Sequence, residues 1–478
     1  MNPELEERPE ISLEDLPAGS TVHLVGAGGA GMSAIGIVLL EMGYAVEGSD
    51  LKESSYVRRL RKRGAVIGLG HRTENLLDCR LVVRSSAIRA DNPEILEANR
   101  RGIPVISRAQ MLAAIMDTRK GIAIAGTHGK TTTSSIVTSM LMGCGADPSY
   151  LIGGELNEIG GNAHYGGGEY LVAETDESDG SLLVMRPEVA VLTNVDWDHL
   201  DYFDSPDHTA RIFRKFLDVL PLDGIAVICG DDPQARAVGE DYKSSGGMVH
   251  FYGEAPDNDF RFEVTASGAW GTTFRVLTTD GILTDVKTGL PGRHNVYNSL
   301  AAFAVGNLLG FPTGDLAKGI ESCQGVRRRF EYVGTCDGIE VRDDYAHHPT
   351  EVKALLDMAA ETSGAERIMA VFQPHRYSRT RLLGPKFGES FTGADLVVVT
   401  DVYGAREDPE PGVTGRLIAD SILEHEPSKD VTYVESRAEL AGEVVRLLKS
   451  GDLVITMGAG DITQCAREIL DLLEDSEV

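Results

Sequence analysis

Cysteine is scarce and badly spaced for cross-linking. Cys79, Cys144, Cys229, Cys323, Cys336 and Cys465 are scattered and form no CxxC pair. Neither a disulfide framework nor a thiolate zinc site is expected, and the thiols should be reduced and mostly buried. Positive charge is also short: 45 Lys and Arg face 73 Asp and Glu, a formal net charge of −28. That balance argues against nucleic-acid binding, which needs a basic footprint. It does not exclude small anionic substrates, which local cationic clusters can hold. No apolar run is long enough to cross a bilayer. The opening residues, MNPELEERPEISLEDL, lack the basic and apolar regions of a secretion signal. No membrane insertion and a cytoplasmic location are therefore expected.

At 478 residues, 42% of them hydrophobic, the chain exceeds one core, and length alone suggests about three domains. Its organising stretch is Gly121 to Met142, GIAIAGTHGKTTTSSIVTSMLM. An apolar strand, Ile122 to Ala125, breaks into Gly126-Thr127-His128-Gly129-Lys130-Thr131-Thr132, and a helix-patterned run follows. Glycines admit phosphate oxygens to backbone N–H groups, a helix N-terminus adds positive potential, the lysine adds a point charge, and the next hydroxyl suits Mg²⁺. The spacing departs from GxxxxGK[ST], whose first glycine would fall on Ile124. A plain glycine-rich turn before a helix is the alternative.

Upstream, the strand Thr21 to Val25 leads into GAGGAGMSAIG, where Gly26, Gly28 and Gly31 fit GxGxxG. After a second strand, Asp50 stands where a ribose-binding acid would sit. Taken literally this is a dinucleotide fingerprint, and an NAD-dependent oxidoreductase is one reading. Continued βα alternation to Met116 indicates a doubly wound domain, with 117–120 as a polar linker.

Past the phosphate loop, two apolar strands end in acids. Tyr170 to Ala173 leads into Glu174-Thr175-Asp176-Glu177-Ser178-Asp179, and Val189 to Leu192 leads into a run containing Asp196, Asp198 and His199. Carboxylates at the carboxyl edge of a parallel sheet sit where open α/β folds bind ligands. Thr131 and Glu174 supply hard oxygen ligands for Mg²⁺; His199 is a softer candidate or a solvated loop histidine. From Phe251 to Lys287, short alternating strands indicate an antiparallel insert or an edge. His294 and Asn295 open an Ala-rich helix, either as caps or reaching a purine edge.

The third segment opens near Val326 with Arg327-Arg328-Arg329. A strand ending at Arg342 precedes Asp343-Asp344-Tyr345-Ala346-His347-His348-Pro349, and another ends in Gln373-Pro374-His375-Arg376-Tyr377-Ser378-Arg379. Cations following a buried strand in so acidic a chain point to anion binding.

GTHGKTTT, the DESD turn, TNVDWDHLDYF, PGRHNVYNSLAA, RRFEYVG, DDYAHHPTEVKA, FQPHRYSRT, DVYGARE and TMGAGDI, with GAGGAGMSAIG and SSAI before them, resemble the Mur ligases in order and spacing from Val22 to Asp461. That resemblance implies an α/β chain of three domains: an N-terminal Rossmann-like domain over 1–117, a central P-loop-type ATPase domain over 118–325, and a C-terminal Rossmann-like domain over 326–478. It implies a ligase that uses ATP and Mg²⁺ (two ions, replaceable by Mn²⁺) to join L-alanine to UDP-N-acetylmuramic acid through an acyl phosphate. A relative that attaches a preformed peptide to the same sugar nucleotide is the nearer alternative. The shortened GTxGKT loop becomes a family mark. The first domain is then expected to hold UDP rather than a dinucleotide, through Gly28, Gly29, Gly31, Met32, Ser33, Asp50, Ser85 and Ser86. The resemblance further implies catalytic roles for Lys130, Glu174, His199 and Arg376, and metal binding by Thr131, Glu174 and His199. Gly126 to Thr132, His294, Asn295, Arg327 and Asp343 or Asp344 are then expected to contact ATP. Tyr345, His347, His348, His375, Arg376 and Arg379 match the muramoyl and alanine pocket by the same resemblance, which does not decide which arginine takes the alanine carboxylate. A monomer or weak homodimer is expected.

Overall fold

Alternating apolar runs and helix-patterned segments build three sheets in the computed structural model, which describes residues 12–176, 181–196, 205–268, 271–405 and 407–476. In the first, β1 (Thr21–Val25), β2 (Ala45–Asp50), β3 (Val66–Leu69), β4 (Leu81–Arg84) and β5 (Val105–Ser107) are all parallel in the order β3-β2-β1-β4-β5. The strand order reverses between β1 and β4, where doubly wound sheets open a crevice. Its helices are α1 (Ala30–Glu41), α2 (Ser55–Lys62), α3 (Pro93–Arg101) and α4 (Arg108–Met116). Side-chain caps from Ser54, Asn92 and Ser107 begin the last three.

The second sheet has ten strands. They are β6 (Lys120–Ala125), β7 (Ser149–Leu156), β8 (Gly161–His164), β9 (Tyr170–Glu174), β10 (Val189–Leu192), β11 (Ile225–Cys229), β12 (Met248–Gly253), β13 (Phe260–Gly268), β14 (Gly271–Thr278) and β15 (Gly281–Thr288). The order is β15-β14-β13-β12-β11-β10-β6-β9-β7-β8, so β6 lies between β10 and β9, parallel to both. The run after Phe251 is an edge of this sheet, and β13 joins β12 in parallel, Tyr252 opposite Phe260. The antiparallel pair β7–β8 at the other edge was not anticipated from the sequence. Helices α5 (Lys130–Gly143), α6 (Ser181–Val184), α7 (Pro206–Asp218), α8 (Pro233–Ser244), α9 (Arg293–Leu308) and α10 (Thr313–Glu321) accompany it.

Helix α1 has no polar face: Met32 through Leu39 are all buried. It packs on β2, α2 and α4 of its own sheet and on β7 and β8 of the second. A helix apolar all round is a buried helix, and Ile35, Ile37, Val38 and Leu39 are each worth roughly 1.5–3 kcal/mol of apolar transfer. Glu41 closes the contact, accepting from Arg63, from the His164 ring (3.0 Å) and from the Tyr165 N–H (2.7 Å).

The third sheet contains β16 (Glu331–Cys336), β17 (Ile339–Asp344), β18 (Arg367–Phe372), β19 (Leu396–Thr400), β20 (Asp430–Val434) and β21 (Asp452–Met457), in the order β16-β17-β21-β18-β19-β20. Only β16 runs antiparallel to its neighbour. Asp343 and Asp344, expected beyond the strand end, are the last two residues of β17 and lie opposite Thr456 and Met457. Helices α11 (Pro349–Thr362) and α12 (Tyr377–Leu383) follow β17 and β18.

Contacts divide the chain into two compact units. One comprises Met1–Glu263, Phe274–Lys287 and Tyr297–Gln324; the other comprises Val264–Thr273, Thr288–Val296 and Gly325–Val478. Among the described residues, no helix is long and apolar enough to cross a membrane.

Candidate active site

The phosphate-type loop joins β6 to α5 and is fastened from the end of β10. The Thr193 hydroxyl donates to the His128 carbonyl (2.6 Å), and Asn194 brackets the same residue. Its Nδ2 donates to the His128 carbonyl (3.0 Å), and its Oδ1 accepts the His128 N–H (2.8 Å). The Thr127 hydroxyl accepts the Asp196 N–H (2.8 Å). These side chains, together with the backbone bond from the Thr127 N–H to the Asn194 carbonyl (3.2 Å), fix Thr127 and His128 in the loop. Lys130 Nζ curls over the loop, donating to the carbonyls of Gly126 (2.5 Å) and Thr127 (3.1 Å). Thr132, half-buried, follows in the first turn of α5.

Thr131 donates its hydroxyl to Glu174 Oε1 (3.0 Å), and Glu174 Oε2 accepts the Gly153 N–H (2.8 Å). The structure thus joins the loop hydroxyl to the acid at the end of β9. Two hard oxygens so close are a donor set that fits Mg²⁺. His199 lies outside the described residues.

A cavity of about 300 Å³ opens between the first two sheets, inside one compact unit. Gly29, Gly31, Met32, Ser85 and Ser86 line it from the first sheet, and Gly153, Glu174 and Asp176 from the second. Ile35, Leu112, Leu151 and Ile152 give it apolar walls, and Arg108 lines it as well. Gly28 and Ser33 are not lining residues. The Gly28 N–H donates to Asp50 Oδ2 (2.8 Å), and Asp50 Oδ1 also takes the Lys52 N–H (3.1 Å). Asp50 therefore braces the glycine turn, while Ser33 is buried within α1. Nucleotide-sugar and metal-site residues expected from separate stretches share one hollow.

The other unit gathers a second cluster. Tyr345 packs edge-on to His347 (centroids 5.2 Å apart), His347 to His375 (5.6 Å), and His375 stacks on Tyr403 (5.9 Å). Arg379 Nη1 donates to His375 Nδ1 (3.4 Å). Burial, then His347 and the cations Arg379, Arg376 and Arg328, push the His375 pKa down to about 3, so its ring is neutral near pH 7. Arg376 precedes α12 with φ +69° and donates its N–H to the Tyr403 carbonyl (2.9 Å). The N–H groups of His347 and His348 donate to Glu351 at 3.1 and 3.3 Å, fixing the start of α11.

Asp343 is enclosed by donors: Thr456 and Thr463 hydroxyls at 2.7 Å each and Arg328 Nε at 3.2 Å. Burial raises its pKa against the pull of those donors. Asp344 accepts the N–H groups of Phe330 and Ala346 (2.7 Å each), and burial pushes its pKa up to about 6. Both acids therefore organise the arginine segment. Arg328 and Arg329 lie over the Tyr345 ring, 5.0 and 5.4 Å from its centroid, whereas Arg327 is exposed and reaches Glu331 (3.4 Å). Asn295 turns back to the Pro291 carbonyl (2.7 Å), and His294 is exposed beside it.

Sequence reasoning missed Arg108, Gly153, Asn298 and Tyr403. Asn298 Oδ1 accepts the Thr133 hydroxyl (3.1 Å), tying α9 to the start of α5. The spacing Ser107 to Gln110 could have marked a capping box and hence a helix starting at Arg108. It could not have indicated where the arginine points.

Three family models match in succession: "Mur ligase family, catalytic domain" over residues 21–120, "Mur ligase middle domain" over 124–306, and "Mur ligase, glutamate ligase domain" over 328–460. The chain belongs to the Mur ligase family. Among curated relatives of this Mur ligase, the UDP-N-acetylmuramate–L-alanine ligase of Saccharopolyspora erythraea is 47% identical, over 95% of this chain and 93% of the relative. That of Pelotomaculum thermopropionicum is 43% identical over 95% and 98%. The crystal structure of the UDP-N-acetylmuramate-alanine ligase of Thermotoga maritima superposes with TM-score 0.80 at 29% identity, covering 95% of this chain and 99% of that one. A murein peptide ligase from Psychrobacter arcticus shares the fold, with TM-score 0.70 at 24% identity over 95% and 99%. As a Mur ligase, the chain carries its GxGxxG turn in a ligase, and the oxidoreductase reading falls away.

Proposed function

We propose that this Mur ligase joins L-alanine to the lactyl carboxylate of UDP-N-acetylmuramic acid, with ATP converted to ADP and phosphate, in the cytoplasmic synthesis of peptidoglycan precursors. The observation that carries the reading is a cavity that reaches from Gly29, Gly31 and Ser85 to Glu174, whose carboxylate accepts the hydroxyl of the loop residue Thr131. It would set the acceptor carboxylate of a nucleotide sugar beside the phosphate loop.

A carboxylate resists amines because its delocalised charge repels the nucleophile. Transfer of the γ-phosphoryl group to a carboxylate oxygen makes an acyl phosphate; the alanine amine then adds, loses a proton and expels phosphate. The protein's work is to neutralise crowded negative charge and keep water from the acyl phosphate. Residues 1–117 would hold the nucleotide sugar, 118–325 the ATP, and 326–478 the amino acid. Lys130 and the N–H groups of the Gly126–Thr132 loop would hold the β,γ-phosphates. When bound at Thr131 and Glu174, with a second ion at His199, Mg²⁺ or Mn²⁺ supplies further positive charge there. His294, Asn295, Arg327 and Asp343 or Asp344 would serve the nucleotide. Tyr345, His347, His348, His375, Arg376 and Arg379 would form the alanine and muramoyl pocket, its neutral His375 and two arginines suiting an amine nucleophile with a carboxylate tail.

The test is alanine-dependent phosphate release from ATP with UDP-N-acetylmuramic acid and Mg²⁺, with the product identified by mass. Glycine, L-serine and a tripeptide serve as competing acceptors. Absence of the alanyl product from folded protein would sink the reading, and preference for the tripeptide would favour the peptide-adding relative.

A further inference from the structure

Strand β7 leaves regular pairing where the metal acid is held. It pairs with β9 from Ser149 opposite Leu171 to Leu151 opposite Ala173, and with β8 at Leu151 opposite Ala163. The next β7–β8 pair is Leu156 opposite Gly161, so residues 152–155 bulge from the ladder. A bulge re-aims the groups it carries. This one brings the Gly153 N–H onto Glu174 Oε2 (2.8 Å), and a Cβ added at Gly153 would lie 2.6 Å from that oxygen.

The bulge is gripped from the first sheet. In α2, Val57 and Leu60 are buried, Arg58 is exposed and Arg59 is half-buried. Arg59 Nη1 donates to Glu155 Oε1 (2.9 Å), at the end of the bulge, and Nη2 to the carbonyl of Gly160 (2.9 Å), just before β8. A Cβ added at Gly161 would lie 2.8 Å from Nη2, so the hairpin leaves the guanidinium its place. A planar fork on two acceptors fixes direction as well as distance. The hairpin turn has ties of its own beyond the Leu156–Gly161 pair. Asn157 Nδ2 donates to the Gln324 carbonyl (3.0 Å), and Glu158 accepts the Ser139 hydroxyl (2.6 Å).

We propose that Arg59 is a positioning residue for the metal-binding carboxylate: by bridging Glu155 and the Gly160 carbonyl it fixes the bulge of β7, and with it the Gly153 N–H that aims Glu174. This rests on the reading of Thr131 and Glu174 as Mg²⁺ ligands. Cation affinity then depends on a helix of the first sheet that does not touch the ion.

The probe is Mn²⁺, titrated by electron paramagnetic resonance into the full chain with a non-hydrolysable ATP analogue. Amide hydrogen exchange over residues 150–156 is read on the same proteins without metal. Partners behind a metal ligand are worth about 10- to 100-fold in affinity, and Arg59 stands one contact further out, so Arg59→Met should weaken Mn²⁺ binding at least about threefold. It should also speed exchange at Gly153, while UDP affinity stays unchanged. Arg59→Lys should fall between, keeping the charge but losing the fork. Gly153→Ala strikes the carboxylate directly and should weaken Mn²⁺ at least as much; adding Arg59→Met to it should cost little more, because both act through one contact. Asn157→Ala loosens the turn beyond the bulge and should leave Mn²⁺ affinity unchanged. A smaller loss in Arg59→Met, an equal loss in Asn157→Ala, a parallel loss of UDP affinity or full additivity with Gly153→Ala overturns the assignment. Glu174→Gln tests the parent reading separately. If it leaves Mn²⁺ affinity unchanged the metal reading fails, whereas a loss there with none in Arg59→Met fails the role of Arg59 alone. If Arg59→Met does not fold, Arg59→Lys and Glu155→Gln carry the test.

Discussion

Substituting Gly126 by alanine should disable ATP use by distorting the loop from beneath. Gly126 has φ +134°, a region closed to L side chains, and an added Cβ would lie 2.1 Å from Thr193 Oγ1 and 3.1 Å from the N and O atoms of Asn194. Holding alanine there costs roughly 1–3 kcal/mol of backbone strain. The clash also displaces the hydroxyl whose 2.6 Å bond holds the His128 carbonyl, a further 0.5–1.5 kcal/mol or so. If that sum of about 1.5–4.5 kcal/mol appears as misplacement of phosphate-binding groups in the transition state, kcat/KM for ATP falls about 10- to 2,000-fold. The assay is initial-rate phosphate release with ATP varied at saturating alanine and nucleotide sugar, with calorimetric UDP binding as the control for the rest of the unit. Thr193→Ala removes the clashing oxygen, so the Gly126→Ala, Thr193→Ala pair should be no slower than Gly126→Ala alone. An ATP kcat/KM within about twofold of wild type for Gly126→Ala, or full additivity in the pair, would refute the geometric argument.

Glu174→Gln keeps the shape of the Thr131 and Gly153 contacts but removes the charge; a Mg²⁺ titration of activity should show the half-maximal concentration raised at least about 10-fold, with UDP affinity retained. His23 is fully buried with Nδ1 and Nε2 each 3.0 Å from the carboxylates of Glu47 and Glu94. Burial opposes its charge, but the two acids prevail and its pKa is raised, while Glu94 drops to about 2. The stability His23 contributes is therefore full below pH 6.5 and fades as pH rises through the folded value, so melting curves of His23→Gln should lack that alkaline decline. His375, held neutral with a pKa of about 3, acts in the opposite sense. The unfolded chain binds its proton first, so wild type loses stability as pH falls below 6.5, and His375→Asn should lose less. Asp343→Asn weakens the hold on Arg328 and should cost about 1.5–3 kcal/mol, read as a melting shift of roughly 3–12 °C in its unit.

Local order was legible and long-range placement was not. Strands such as Val189–Leu192 and Arg367–Phe372 announced themselves as short apolar runs, and Pro349 marked the start of α11. The pairing of Thr131 with Glu174 could be anticipated because Thr131 lies beyond the end of β6 and Glu174 ends β9, and the two strands adjoin in parallel. Arg108 could not: its guanidinium lies against Gly31, 77 positions earlier, where an added Cβ would be 2.8 Å from Nη1, and no periodicity encodes that distance. Asp343 reads as a loop acid because two adjacent aspartates follow the alternating run Ile339 to Arg342, yet the hydroxyls that justify its burial come from Thr456 and Thr463. Asn298 was passed over for Asn295 because both stand near the start of α9, and only the fold selects the one that reaches Thr133.

Helix α1 also sets how the first two sheets come apart. Having no solvent face, it cannot detach from β7 and β8 without uncovering residues that the first sheet alone leaves wet, nor leave its own sheet without stripping the second. The two sheets therefore open as one cooperative unit. A nucleotide sugar seated at Gly29 to Met32 should slow amide hydrogen exchange in β8, which lines no part of the cavity, as strongly as in β1. Ligand affinity on one sheet is thereby converted into stability of the other.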